Sequence, residues 1–233
     1  MVDPLPLTTT VDVRDARALA AVLPVGSFEQ HGAHLPLTTD TIVACAIASA
    51  VAAAYPVLLL PPITISCSHE HAAWPGTVSI SARTLHAVVT DIADSLRRSG
   101  VPNLVLVNGH GGNYVLANVA QEAFGRIAVF PTSADWAEAR AAAGVRTSSA
   151  SDMHAGEVET SILLHVRPEA VRPGAADSFA DDRRHLLTRG MAAYTSSGVV
   201  GAPSLGTAAK GEAVLAHLVG TFAGHLAAVQ EEG

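Results

Sequence analysis

Aromatic residues make up only 4% of this 233-residue chain, and charged residues only 15%. A core so short of rings must be filled by Ala, Val, Leu and Ile. At this length such a core can bury most of the unfolded surface without cross-links. Cysteine is nearly absent: Cys45 and Cys67 are too few for a disulfide framework and form no CxxC metal knuckle. Basic residues are scarce as well. Fourteen Lys and Arg stand against 21 Asp and Glu, and the basic runs reach only the RR pairs at 97–98 and 183–184. This excludes the basic stripe of a nucleic-acid-binding face. The opening MVDPLPLTTTVDVRDAR lacks both a basic n-region and an apolar h-region, so no secretory signal is expected and the cytoplasm is the default location.

Residues 41–68 contain no charge at all, a length that suits a membrane span. Pro56, Pro61 and Pro62 interrupt it, and its first half is mostly alanine and serine. The stretch therefore reads as a buried helix over 41–54 and a buried strand over 57–60, with no membrane partner. The apolar run continues to 65, as a strand covered on both faces would.

Elsewhere strand and helix alternate. Further strands are expected at 19–26, 103–108 and 126–130. Helices are expected at 81–100, 113–124, 134–143, from Glu157 onward, at 182–195 and at 207–230. In the helix at 81–100, Leu85, Val88, Val89, Ile92 and Leu96 recur at helical spacing. Such alternation implies an α/β fold of one domain over residues 1–233, with a largely parallel sheet and helices on both faces. Functional loops in such sheets gather at the carboxyl ends of the strands.

The polar residues that are present fall at those ends. GSFEQHGAHLPLTTD (26–40) follows the first strand, SCSHEH (66–71) the second and GHGGN (109–113) the third. Glu29 and His31, one residue apart, project from the same face of an extended segment. Asp40, just before a helix, has the two oxygens needed to bridge two ions; its plainer use is as a helix N-cap. His110, flanked by glycines, can approach the same rim, although a GHGG stretch alone is a tight turn and a lone loop histidine is solvated. In DMHAGEVETS (152–161), His154 suits a proton donor or acceptor and Glu159 a ligand or an orienting group. Mixed imidazole and carboxylate donors suit zinc, iron or manganese. Other chemistries fail on spacing. GHGGN lacks the Gly-Lys-Ser/Thr of a phosphate loop, no G-x-S-x-G elbow exists, and Cys67 beside His69 and His71 has no supporting nucleophile signature.

GSFEQHGAHLPLTTD, EHAAWPGT, NGHGGN and HAGEVETS, in that order, resemble the creatininase family of metal-dependent amidohydrolases. The resemblance implies a three-layer α/β/α sandwich with two divalent ions per subunit, zinc foremost, usually in a homohexamer. It implies that Glu29 and His31 each hold a different ion, that Asp40 bridges them, that His110 completes the first site and that His154 is catalytic. Creatininase has a glutamate ligand two residues after the GH histidine, where this chain has Gly112. Glu159 is the candidate replacement. His71, Trp74 and Asn113 are expected to bind substrate. The departure at Gly112 turns the expectation from creatinine toward hydrolysis of a small or cyclic amide or formamide. A metallopeptidase trimming a modified peptide of the mycofactocin type, and a non-catalytic metal-binding assembly protein, are the alternatives.

Overall fold

The computed structural model describes residues 5–180 and 182–230. A short helix α1 (Thr10–Ala16), which the sequence pattern does not announce, precedes strand β1 (Ala20–Val25). The chain continues through α2 (Thr39–Ala54), β2 (Leu58–Leu59), α3 (Ala82–Arg98), β3 (Asn103–Asn108), α4 (Val115–Glu122) and β4 (Ile127–Phe130). Helices α5 (Ser133–Ala142), α6 (Glu157–Val166), α7 (Leu186–Arg189) and α8 (Ala208–Ala228) complete it.

The strands lie in the order β2-β1-β3-β4, and each recorded pair is parallel. Side chains alternate across the sheet, as a period of two requires. Ala21, Leu23, Val25, Leu104 and Leu106 face α3 and α4, packing on Leu85, Val89, Leu116 and Val119. Val22, Val105, Val107 and Phe130 face the other way, onto Ile47 of α2, Ile162 of α6 and Leu218 and Phe222 of α8. Helices thus cover both faces, giving the expected three layers. Among the described residues no helix is long and apolar enough to cross a membrane.

Two expectations change. The strand over 57–60, expected to be buried on both faces, is a two-residue edge strand that is only half-buried. Beyond Leu60, which donates its N–H to Val22, Pro61 and Pro62 have no N–H to give, and pairing resumes only where Ile63 meets Pro24. The helix expected over 182–195 breaks into the four residues of α7 and a 3-10 turn at Met191–Ala193, because Gly190 between them turns to a φ of +69°.

This strand order places the topological switch between β1 and β3, where ligand sites of open α/β sheets form. Both strands run in register to Val25 and Asn108, and the N–H of Gly109 bonds to Val25 O at 2.9 Å. A side chain at position 109 would strike the backbone of Asp40, so this glycine lets the start of α2 close down on the strand ends.

Candidate metal centre

At the switch point the chain after β1 is tied down by backbone pairing: Phe28 bridges Val78, and the N–H of Glu29 bonds to Leu37 O at 3.0 Å. This directs Glu29 and His31 into the interior, where both are fully buried. Asp40, in the first turn of α2, does not cap its helix; Thr38 holds the cap position without a side-chain bond. Asp40 instead turns inward. Its Oδ1 lies 3.1 Å from His31 Nε2 and its Oδ2 lies 3.0 Å from His110 Nδ1. Ser27 steadies the carboxylate by donating to Oδ2 at 2.6 Å.

Glu29 Oε2 stands 3.2 Å from His110 Nε2, and Glu159 Oε1 stands 3.9 Å from His31 Nε2. The set Glu29, Asp40, His110 and the set His31, Asp40, Glu159 each bring three donor atoms within 4.8 Å of one another. Asp40 belongs to both. The imidazoles are anchored from behind, as metal-binding histidines are: His31 Nδ1 lies 3.1 Å from Glu29 O, and His110 Nε2 lies 2.7 Å from Cys67 O. The N–H of Ala155, held at a φ of +53°, donates to Glu159 Oε2 at 2.5 Å.

Electrostatics tests whether cations fit. Burial and the charge of Asp40 push Glu29 up to about 8. Burial also raises Asp40, but His31 and His110 overcome it and hold Asp40 well below the usual carboxylate range. Burial opposes charge on both imidazoles, yet the carboxylates lift His31 to about 9, with Asp40 foremost, and His110 to about 10, with Glu29 foremost. Burial lifts Glu159 to about 7 against the pull of His31. Three carboxylates thus compete for two imidazoles. Both oxygens of Glu29 are buried without a hydrogen-bond partner among the described residues. An orphaned carboxylate in the interior is costly unless a cation meets it. The donor set fits divalent ions.

His154 lies beside the cluster, its ring 4.2 Å from that of His31 and 4.3 Å from that of His71. Burial, with His31 and His71 nearby, keeps His154 well below its ordinary pKa, and burial with His110 and His31 takes His71 down to about 3. Both are neutral near pH 7. Backbone bonds in each direction between His154 and Val200 hold the catalytic candidate in place.

A cavity of about 500 Å³ opens onto the cluster, lined by His110, His154 and Glu159 together with Trp136, Arg140 and Met153. Of the residues expected to bind substrate, His71 lies inside the cluster, 3.3 Å from Glu29 Oε1. Trp74 packs toward His71 at 6.3 Å between ring centroids. Asn113 ties three loops together: its Oδ1 accepts from Cys67 N, and its amide donates to Asn108 Oδ1 and Gly26 O. A side chain at Gly112 would collide with the carboxylate of Glu70 and the ring of His110. Burial raises the Cys67 thiol, which keeps it protonated and unsuited to attack. Sequence reasoning missed Gln30 and the buried ion pair of Arg140 with Asp152, at 3.3 Å, which lines the cavity. Position gave a signal for Gln30, which stands between two candidate ligands, and for Asp152, two residues before His154.

A family model described as creatininase, creatinine amidohydrolase, matches residues 7–226. The mycofactocin precursor peptide peptidase of Mycobacterium ulcerans is 36% identical over 212 residues, 85% of this chain and 80% of that protein. Its Mycolicibacterium smegmatis counterpart is 37% identical over 210 residues, with the same coverage. The creatinine amidohydrolase of Pseudomonas putida matches at 35% over only 97 residues, 40% of this chain and 37% of that one. A solved creatinine amidohydrolase superposes with a TM-score of 0.75 at 24% identity, covering 92% of this chain and 91% of that chain.

Proposed function

Because the chain belongs to the creatininase family, we propose that it is a metal-dependent hydrolase that cuts an amide C–N bond, working in the cytoplasm as a homohexamer, and that the bond lies in a modified precursor peptide. The chemistry rests on one observation: Asp40 presents one oxygen to each of two buried histidines. Glu29, Asp40 and His110 would hold one divalent ion, and His31, Asp40 and Glu159 a second. Zinc suits these donors best, with iron and manganese as competitors. Ions there would supply Lewis acidity toward the carbonyl oxygen and would lower the pKa of a water toward about 7.

The chain's own groups do the rest. His154, neutral at the cavity wall, takes a proton and delivers it to the leaving nitrogen. Without that delivery the tetrahedral adduct reverts, because an amide anion is a poor leaving group. Trp136 and Met153 provide an apolar wall against which the substrate's carbon skeleton packs.

The peptide reading is supported by the relatives named as precursor peptide peptidases, which match over 85% of the chain. Hydrolysis of a small or cyclic amide or formamide is the second reading, favoured by the cavity, whose volume is typical of small-ligand sites. A purely structural metal-binding role is disfavoured, since a scaffold does not need His154, a neutral imidazole held beside the ligands. The test is a panel assay of metal-reconstituted enzyme on creatinine, formamidopyrimidines, small amides and C-terminally extended peptides, with products identified by mass spectrometry. We expect trimming of the peptides. Turnover of creatinine or a small amide above about 10⁴ M⁻¹s⁻¹, with peptides untouched, would overturn the peptide reading in favour of the second.

A further inference from the structure

Gln30 stands between the candidate ligands Glu29 and His31, is almost fully buried, and has no part in the chemistry above. Its carboxamide is clamped on every side. The N–H of Gly32 donates to Oε1 at 2.9 Å, which identifies that atom as the oxygen. The nitrogen, Nε2, has three neighbours: Gly198 O at 3.0 Å, His71 Nδ1 at 2.9 Å and His154 Nε2 at 3.1 Å. A side chain at Gly198, whose φ is +81°, would occupy the place of the carboxamide. This part of the fold is built around it.

An amide nitrogen has two hydrogens, and the three neighbours compete for them. Gly198 O can only accept, so it takes one. His154 Nε2 lies 2.7 Å from the backbone oxygen of Gln30, another pure acceptor, so His154 Nε2 must itself carry a hydrogen and cannot receive one. The second amide hydrogen therefore goes to His71 Nδ1. That atom is bare, and the hydrogen of the neutral His71 ring sits on Nε2, 3.3 Å from Glu29 Oε1. In His154 the bare atom is Nδ1, 3.8 Å from the same carboxylate oxygen.

We infer that Gln30 is a positioning residue that sets which nitrogen carries the proton in His71, through its carboxamide, and in His154, through its carbonyl. His71 then turns an N–H, not a lone pair, toward Glu29 Oε1 at 3.3 Å, a charge contact short of a hydrogen bond. His154 presents a lone pair at Nδ1, so it enters the reaction as a proton acceptor and donates only afterwards. The kinetic consequence rests on the proposed hydrolase reading; the proton placement does not.

The experiment is imidazole ¹⁵N NMR on zinc-loaded protein, with His71→Gln and His154→Gln to assign the two rings. Both rings should show the Nε2–H pattern in the wild type. In Gln30→Met, His71 should lose that preference while His154, still bound to the unchanged carbonyl, keeps it. In parallel kcat should fall roughly 10–100-fold with KM altered less than about twofold, the effect expected of a residue one shell behind the ligands. An Nδ1–H pattern for His71 in the wild type, or a His71 pattern untouched by Gln30→Met, overturns the inference. Should Gln30→Met fail to fold, the wild-type spectrum alone decides. Should no substrate be turned over, the hydrolase reading falls and the NMR result still judges Gln30.

Discussion

Asp40 illustrates how much rests on single side chains. Its two oxygens serve two different imidazoles, so Asp40→Asn preserves size while removing the shared charge. The variant should lose most of both ions, read by metal analysis of the purified protein; full occupancy would end the bridging assignment. His154→Ala should keep the metal and the fold but lower kcat by roughly 10²–10⁴-fold, the range for a general acid–base group. Loss of metal instead would make His154 a ligand, which its proximity to Glu29 and His31 permits geometrically. Glu29, His31, Asp40, His110 and Glu159 were legible as candidates because donor side chains stand out in a chain with so little charge. Gln30 stood between two of them, yet its role was not legible, because it comes from contacts that only folding creates. Gln30 meets residues 124 and 168 positions away, and no local pattern encodes such a meeting.

Among the elements, legibility followed packing. β1 and β3, buried in the middle of the sheet, and α3, with one apolar face, matched their sequence patterns closely. β2 and α7 did not, since a run of apolar or helix-favouring residues becomes an element only where a partner surface receives it. α5 shows what fixes an element that lacks a strong apolar face. Asp135 closes a capping box with Thr132 and reaches across to His225 of α8 at 3.0 Å. Burial raises Asp135, but the Thr132 bonds and His225 outweigh it and hold its carboxyl below the ordinary 3.8. A carboxylate held low when folded stabilises fully above its unfolded pKa, and that contribution is lost as pH falls through the folded value. Asp135→Asn should therefore cost about 1.5–3 kcal/mol at pH 7, the range for bonds to a charged group. The gap to wild type in urea-melt stability should close below pH ~4. A gap independent of pH would show that the carboxylate's charge contributes nothing.

For the whole molecule, the candidate ligands come from residues 29–40, from 110 and from 159, so the binding site exists only in the folded chain. Metal that binds the folded state alone stabilises it by mass action. Chelation should lower the Tm by roughly 5–15 °C in scanning calorimetry; an unchanged Tm would argue against tight, folded-state binding. Light scattering checks the expected assembly of six copies. How those copies could meet follows in part from the β2 flank. There the sheet ends in two residues followed by Pro61 and Pro62, which offer no N–H to an incoming strand. That margin is a poor template for a fibril or for a neighbouring subunit's strand, so any copies that meet on this side would join through helices and loops.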